Sequence, residues 1–342
     1  VAGEAIAGRY QALNCALLAG MIALTLGALI ALPMLLPRDP HWGWLLLPVA
    51  LLTNGFWALH HEAIHNGFHT DRRLNQWAGR LMAVLLGSSF FVLRFGHLMH
   101  HRYNRNPIDR PDTYDPAVMA PWRAHVSFLI NLTGGLYLVE VLVPLACLLP
   151  RPLIRRIVDK VYAGDDPALR AIHQAATRLF LDPRKLNVIR VDALLSAALI
   201  AVAATLYGAH WPMLLAFLLA RGALISIFDN VYHYATPIDR PDYARNLWLP
   251  APIRLLILNM NLHRVHHART ALAWWELPGE LASTGDRFDA KLFPQALAQF
   301  AGPVPVSALV SAPPLGYDPD RIDLGRGEAE LDFEPGDQAR SR

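Results

Sequence analysis

The chain has 342 residues, 54% hydrophobic and only 17% charged, with a mean hydropathy of +0.25, which excludes an ordinary soluble surface and a disordered chain alike. A formal charge of +3, with only Lys160, Lys185 and Lys291 as lysines among 31 basic residues, is too weak to wrap nucleic acid, so no DNA or RNA partner is expected. Cys15 and Cys147 both sit in apolar runs, which excludes a disulfide framework and a thiolate iron-sulfur site.

Tyr10 to Pro37 is a stretch of 28 residues without a charge, longer than the ~20 that cross a hydrocarbon core and far longer than a signal peptide's apolar region, so it reads as a retained first span. After the loop Arg38 to His41, the 18 uncharged residues from Trp42 to Leu59 can cross back and complete a hairpin. Leu81 to Leu93, at 13 residues, is too short to span and suits a dip into the interface or a buried helix. The run from Ala124 to Pro150 has spanning length but carries Glu140 and is flanked by Arg123 on one side and Arg151, Arg155, Arg156 and Lys160 on the other. Positive charge at both ends places both on the cytoplasmic side, and Gly134 and Gly135 allow a re-entrant or in-plane hairpin. Residues 151 to 190, with nine basic and four acidic side chains, then pack beneath the membrane. A second hairpin is expected over residues 193 to 228, turning at Tyr207 to His210, with Arg221 inside it as a partner for Glu140 or a side chain snorkelling to the interface. Trp42, Trp44 and Trp57 read as interface anchors. From Gly302 onward proline, glycine and acids such as Asp318, Asp320, Asp323 and Glu328 dominate, so residues 1–301 read as one integral membrane domain and 302–342 as a disordered acidic tail.

Nine of the 15 histidines fall in four groups, each just past an apolar segment that ends on the side assigned to the cytoplasm. His61 and His65 stand four apart and share a helix face. His97, His100, His101 and His263, His266, His267 each have the spacing His-x-x-His-His, a pattern expected only roughly 0.03 times by chance at this histidine content. His233 follows Asp229 by one helical turn, beside Asn230. Ionisable clusters at a bilayer face are functional by default; imidazole suits iron, zinc, copper or nickel, and eight or nine ligands are too many for one ion. Two metals are implied. His60 points away from His61, His69 lies a turn beyond His65, and His41, His125, His173 and His210 have no partner at metal spacing; all six are left outside.

His61-Glu-Ala-Ile-His65, His97-Leu-Met-His100-His101 and His263-Arg-Val-His266-His267 resemble the three histidine boxes of the membrane fatty acid desaturase and hydroxylase superfamily. Asn261-Leu-His263 leading to Trp274-Trp275-Glu276-Leu277-Pro278, and Asp229 to Tyr234, are similar to further stretches of that family, although Asp229 stands where an asparagine is usual. The resemblance implies an all-α membrane protein with about four transmembrane helices in two hairpins and a cytoplasmic helical cap holding a histidine-rich di-metal site. It implies two iron ions with O2 as co-substrate, acting on an unactivated C–H bond of an acyl chain by desaturation, or on a fatty acyl, alkane or carotenoid substrate by hydroxylation or ketolation. The expected ligands are the nine histidines together with Asp229, either directly or through a metal-bound water, with Asn230 as the alternative in that role.

Each ligand imidazole needs an acceptor at its second nitrogen, and the repeat Pro107-Ile-Asp109-Arg110-Pro111-Asp112 and Pro237-Ile-Asp239-Arg240-Pro241-Asp242 offers Asp112 and Asp242 as such acceptors, as partners of arginines, or as residues of a duplicated turn. With two cysteines and no His-Pro-Gly-Gly segment, electrons are expected from a separate ferredoxin-, rubredoxin- or cytochrome b5-type donor, for which the basic segment 151–190 is a plausible dock; it suits anionic lipid equally. The expected location is a bacterial inner membrane with the site facing the cytoplasm. From another class, His61-Glu62-x-x-His65 is also the zinc metallopeptidase signature with Glu62 as general base, and a metal transporter or bis-histidine haem carrier is a non-enzyme alternative whose ligands belong at bilayer depth.

Overall fold

A computed structural model describes residues 2–238 and 243–309. Among them, four stretches are long and apolar enough to cross a membrane: Gly8–Met34, Pro40–Ile64, Pro121–Ala146 and Pro183–Val231. Helix α1 (Ala2–Leu26) runs on through π and 3-10 turns to Met34, and α2 (Leu46–Leu51) and α3 (Thr53–Ile64) return. Far along the chain, α10 (Pro183–Tyr207) and α11 (Trp211–Val231) form the second hairpin across the 3-10 turn Gly208–His210. Both hairpins turn at the same end of the molecule, where the Tyr207 hydroxyl donates to the Ala28 carbonyl at 2.7 Å and Gly43 lies against Met213. At the opposite end the start of α1 is fixed to the cap: Asn14 donates to the Phe68 carbonyl and accepts from the Trp274 indole, and Tyr10 stacks on Trp275 at 4.5 Å. The protein is therefore an all-α membrane protein with its histidines gathered at one end of two hairpins.

Between the hairpins lie two shorter devices. The run Leu81 to Leu93 straddles a break between α4 (Arg72–Leu86) and α5 (Phe90–Tyr103), which meet at 97°. Gly87 makes the corner at φ 91°, a left-handed conformation that closes α4 and that a side chain would strain. Asp192 of α10 pins the corner, accepting from Arg80 at 2.6 Å and from Ser89. The second device is α6 (Pro121–Ile130) and α7 (Leu136–Ala146), interrupted where Gly134 adopts φ 129° and packs on Gly222 of α11. His125 near its start meets Gly302, while the Cys147 and Leu149 carbonyls at its far end accept from Arg190, early in α10. Both ends thus lie toward the histidine end, as a re-entrant segment requires. Arg221 donates to the Leu85 carbonyl at 3.2 Å and lies over the Phe217 ring rather than pairing with Glu140.

The cap consists of short elements: α8 (Arg151–Val161), α9 (Pro167–Phe180), α12 (Ala251–Leu256), α13 (His263–Ala268), α14 (Leu277–Thr284) and α15 (Leu292–Ala298). Two parallel two-residue pairings tie it together, β1 (Thr113–Tyr114) with β4 (Val304–Pro305) and β2 (Leu247–Trp248) with β3 (Ala290–Lys291). Residues 302–309, expected to open the tail, are instead held: the Gly302 carbonyl accepts from Tyr234, Val304 donates to the Asp112 carbonyl, and Leu309 is buried. The remainder of that tail, residues 310–342, lies outside the described residues.

At the centre of the cap, Arg105 and Asp112 form an ion pair of 2.7 and 3.2 Å with essentially no solvent exposure. Arg105 also donates to the Thr236 and Pro237 carbonyls, and Asp112 accepts from the Ala235 amide. This pair clamps the chain after α5 to the chain after α11. Removing one partner leaves a buried charge unpaired, so Asp112→Ala is expected to lower stability by about 3–5 kcal/mol, read as a fall in the thermal unfolding midpoint of the detergent-purified protein, with Asp165→Ala at an exposed site as the unaffected control.

Candidate metal centre

The first box rides on the last turn of α3, where His61 is buried and His65 forms the C-cap. The second box is the last turn of α5. His233 follows the end of α11. The third box is α13, reached by an abrupt left-handed turn in which Leu258 and Asn259 have φ 48° and 57°; Asn259 is secured by donating to the Trp274 carbonyl. The Asn246 side-chain Oδ1 accepts from the Arg264 and Val265 amides, and the Arg264 guanidinium is gripped by Asp286 and Asp289 at 2.5–3.0 Å. Sequence reasoning passed over both devices, since neither Asn246 nor the Asp286/Asp289 pair lies near a box.

These four segments bring nine imidazoles into two groups. His61, His65, His97, His101 and His266 form one, and His100, His233, His263 and His267 form the other; within each, one nitrogen from every ring lies within 4.8 Å of all the rest. Each His-x-x-His-His box is split between the groups. The i and i+4 histidines go together and the i+3 histidine goes to the other group: His97 and His101 against His100, and His263 and His267 against His266. Adjacent Nε2 atoms are 2.8–3.1 Å apart along His65, His97, His101 and His266, and along His100, His233 and His263. Nitrogens bound at about 2.1 Å to one ion with right angles between them would be about 3.0 Å apart. A single N–H on His97 cannot serve both His65 and His101, whereas a shared cation can. His61 has both ring nitrogens buried without a hydrogen-bond partner, and so does Nε2 of His267. The donor set therefore fits two metal ions in neighbouring all-imidazole shells.

Two of the second nitrogens are held in the way that orients a ligand ring. His100 Nδ1 is 2.7 Å from Asp109 Oδ2, and His233 Nδ1 is 3.0 Å from the Tyr243 carbonyl. Asp109, rather than Asp112, is thus the histidine acceptor of the first Pro-Ile-Asp-Arg-Pro-Asp repeat; Asp112 is the arginine partner. Asp242 lies outside the described residues. Asp229 belongs to neither histidine group and lines a narrow cavity beside them, which His61, His97, His100 and His263 also line. Asn230 points elsewhere, donating to Gln299 Oε1 at 2.7 Å.

His60 is buried against Trp57 and Phe90, outside both groups. His69 accepts from the Asp71 amide, His41 and His173 pair with exposed aspartates, and His125 packs at Gly302. Glu62 turns away from the histidines to accept from the Trp274 amide at 3.2 Å. A peptidase's general base has to face the metal-bound water, and this one does not.

Burial, reinforced by the neighbouring imidazoles, pushes His233, His263, His266 and His267 well below the ordinary imidazole range. They stay neutral, the form that binds a metal.

A bundle of apolar hairpins presenting two all-histidine groups beneath its membrane end defines a membrane protein of histidine-box type. The chain matches the Fatty acid desaturase family over residues 40–280 and belongs to it. It is 24% identical over 202 residues to a Delta(12) fatty acid dehydrogenase of Crepis alpina, covering 58% of this chain and 52% of that protein. It is 30% identical over 86 residues to an sn-1 oleoyl-lipid 12-desaturase of Arthrospira platensis, covering 23% of this chain and 22% of that one. The alignments thus span about half or less of the curated relatives. No solved structure matches.

Two outcomes follow from this geometry. Removing the carboxylate behind His100 with Asp109→Asn is expected to weaken metal affinity by about 10–100-fold without unfolding the protein, measured by competition with a chelator. A histidine whose folded pKa is depressed contributes stability above its unfolded value of about 6.5 that is lost as pH falls below it. The chelator-stripped protein is therefore expected to show a falling unfolding midpoint from about pH 7 to about pH 5; a flat profile would contradict the neutral cluster.

Proposed function

We propose that this protein is a membrane-bound di-iron oxidoreductase that uses O2 and external electrons to desaturate a lipid acyl chain. The observation that carries the reading is the five-plus-four division of nine imidazoles at the membrane end of a fatty acid desaturase family fold. Five nitrogens exceed the tetrahedral shell that zinc prefers, and imidazole donors are well suited to iron. The proposed ligands are His61, His65, His97, His101 and His266 for one iron and His100, His233, His263 and His267 for the other, with Asp229 beside them on the cavity wall.

When bound, the iron pair supplies the reduction of O2 and removal of hydrogen from an unactivated C–H bond; the net reaction takes an acyl CH2–CH2, O2, two electrons and two protons to CH=CH and two waters. The chain's own side chains do the rest. Asp109 and the Tyr243 carbonyl fix ring orientation, so that Nε2 of His100 and of His233 faces inward. Trp57, Phe228, Ile257 and Met260 line the adjoining cavity and exclude bulk water from the reacting segment. The apolar spans bring a lipid chain to that cavity from within the bilayer.

Electrons come from a separate ferredoxin-, rubredoxin- or cytochrome b5-type protein, and the basic cap segment formed by α8 and α9 is the proposed dock. The proposed setting is a bacterial inner membrane with the histidine end facing the cytoplasm. A hydroxylase or ketolase would use the same ligands, and product analysis separates the three. The test is metal content together with lipid profiling. Two irons per chain and a new double bond in the lipids of an expressing host are the expected result, with both lost in His100→Ala and His266→Ala. One zinc per chain and unchanged lipids would overturn the reading.

A further inference from the structure

A second cavity lies away from the histidine groups, in a groove along α4 between α1 and α10. Its volume is about 420 Å³, within the range of roughly 300–1,000 Å³ that small-molecule sites occupy. Leu74, Trp77 and Leu81 of α4 meet Cys15 and Leu18 of α1 and Leu195 of α10 around it. Cys15, Leu18 and Leu195 belong to membrane-spanning stretches, so the medium at its opening is lipid. Leu74 and Trp77 are 52% and 65% exposed, apolar surface that the fold leaves uncovered. One end of the groove lies at Phe68 and His69, in the loop after the first histidine box, where Asn14 binds the Phe68 carbonyl. The polar groups are sorted along its length. Asp192, the carboxylate in the lining, is already matched by Arg80 at 2.6 Å and by Ser89, and Arg80 lies over the Trp77 ring at 4.8 Å. At the histidine end, Arg72 and Arg73 open α4, both exposed, and their guanidinium groups make no hydrogen bond or ion pair among the described residues. Asp71 beside them directs its carboxylate to the Arg73 and Leu74 amides. Arg73 shares a side of α4 with Trp77 and Arg80, four and seven residues on. His69 accepts from the Asp71 amide at Nδ1, so its neutral ring carries a donor at Nε2. An apolar groove at bilayer depth thus ends beneath two unpaired cations.

We propose that this groove binds one anionic membrane phospholipid, its acyl chain between α1, α4 and α10 and its phosphate against Arg72, Arg73 and the His69 Nε2–H. The apolar lining recognises the chain, and the two arginines favour a headgroup of net negative charge over a zwitterionic one, whose own cation opposes them. The neutralised Asp192 leaves no carboxylate in the groove to repel it. The chain fills the gap that α1 and α10 leave beside α4 and braces the loop that carries Phe68, three residues after His65. This lipid is a bound partner and not the chain that is oxidised, since the groove shares no lining residue with the cavity beside the histidines. The inference therefore stands independently of what the histidine groups catalyse.

The test uses the full chain purified in detergent and reads the rate at which N-ethylmaleimide modifies Cys15, an exposed thiol of the groove, Cys147 being buried. Phosphatidylglycerol, phosphatidylcholine with the same acyl chains, and inorganic phosphate are titrated separately. Phosphatidylglycerol is expected to slow the modification saturably, reaching half-protection at about a tenfold lower concentration than phosphatidylcholine, the scale that two arginines at a membrane surface supply. Inorganic phosphate is expected to leave the rate unchanged, and native mass spectrometry to find one phosphatidylglycerol retained per chain. The double substitution Arg72→Gln and Arg73→Gln is expected to abolish the preference, and Arg123→Gln, at another exposed arginine, to keep it; size-exclusion profiles and thermal unfolding midpoints confirm that each variant is folded. Equal protection by the two lipids, the behaviour of an unselective annular shell, overturns the proposal. So does protection by neither lipid, or a preference that survives the loss of both arginines.

Discussion

Nine imidazoles have to meet from four stretches of chain that lie far apart in sequence, and the rest of the architecture answers to that requirement. To bind a metal each ring has to be deprotonated at the nitrogen it turns inward. Buried polar side chains that converge without hydrogen-bond partners destabilise the fold until an ion occupies their centre, so the groups survive only because the surrounding elements leave them no other conformation. The splitting of the two His-x-x-His-His boxes is the geometric core of this. One helical turn offers two directions, and using both makes α5 and α13 each contribute to both groups, coupling the two shells rigidly.

The membrane spans set where those turns can be. Two hairpins closing at the same far end put the starts of α1 and α10 and the ends of α3 and α11 on one level, and the 97° corner between α4 and α5 delivers the second box to that level without another crossing. Asp192 binding both Arg80 and Ser89, and Gly134 lying against Gly222, are the contacts that keep the corner and the interrupted α6–α7 segment pressed onto the second hairpin. Both rely on polar or backbone contact rather than on apolar area, which lipid supplies equally to folded and unfolded arrangements of helices.

Outside the bilayer the problem reverses. The cap is too short of regular structure to hold itself by helix packing, and charged clamps replace it: Arg105 with Asp112, and Arg264 with Asp286 and Asp289. Each clamp has its arginine in or just after a histidine box, so the loops that carry ligands are tied to distant parts of the cap. The cost of burying these ions is met by several hydrogen bonds to each, and the gain is a fixed register for His100, His101 and His263. At the membrane edge of the same site, Asn54, Asp229 and Tyr232 line the narrow cavity beside the histidines.

The sequence by itself determined the class of the molecule, the two hairpins and the histidine inventory, because span length and His-x-x-His-His spacing are local properties that hydropathy and helical periodicity express directly. It did not reveal how the boxes divide between the two groups, since His97, His100 and His101 share a helix end and only the position of α13 and of His233 decides which partners each one meets. It left Asp112 open as a histidine acceptor or an arginine partner and did not single out Asp109 as the residue behind His100, because both aspartates occupy one repeat and the distinction lies in how the chain after α5 folds against the chain after α11. It offered Glu140 to Arg221, which found a backbone carbonyl at the α4–α5 corner instead. It left Asn54 unremarked, for a single asparagine in an apolar span has no signature until the cavity it faces is formed. Hydrogen-bond partners and cavity walls are long-range pairings, and only the tertiary structure decides them, because each depends on segments whose separation in sequence carries no record of their distance in space.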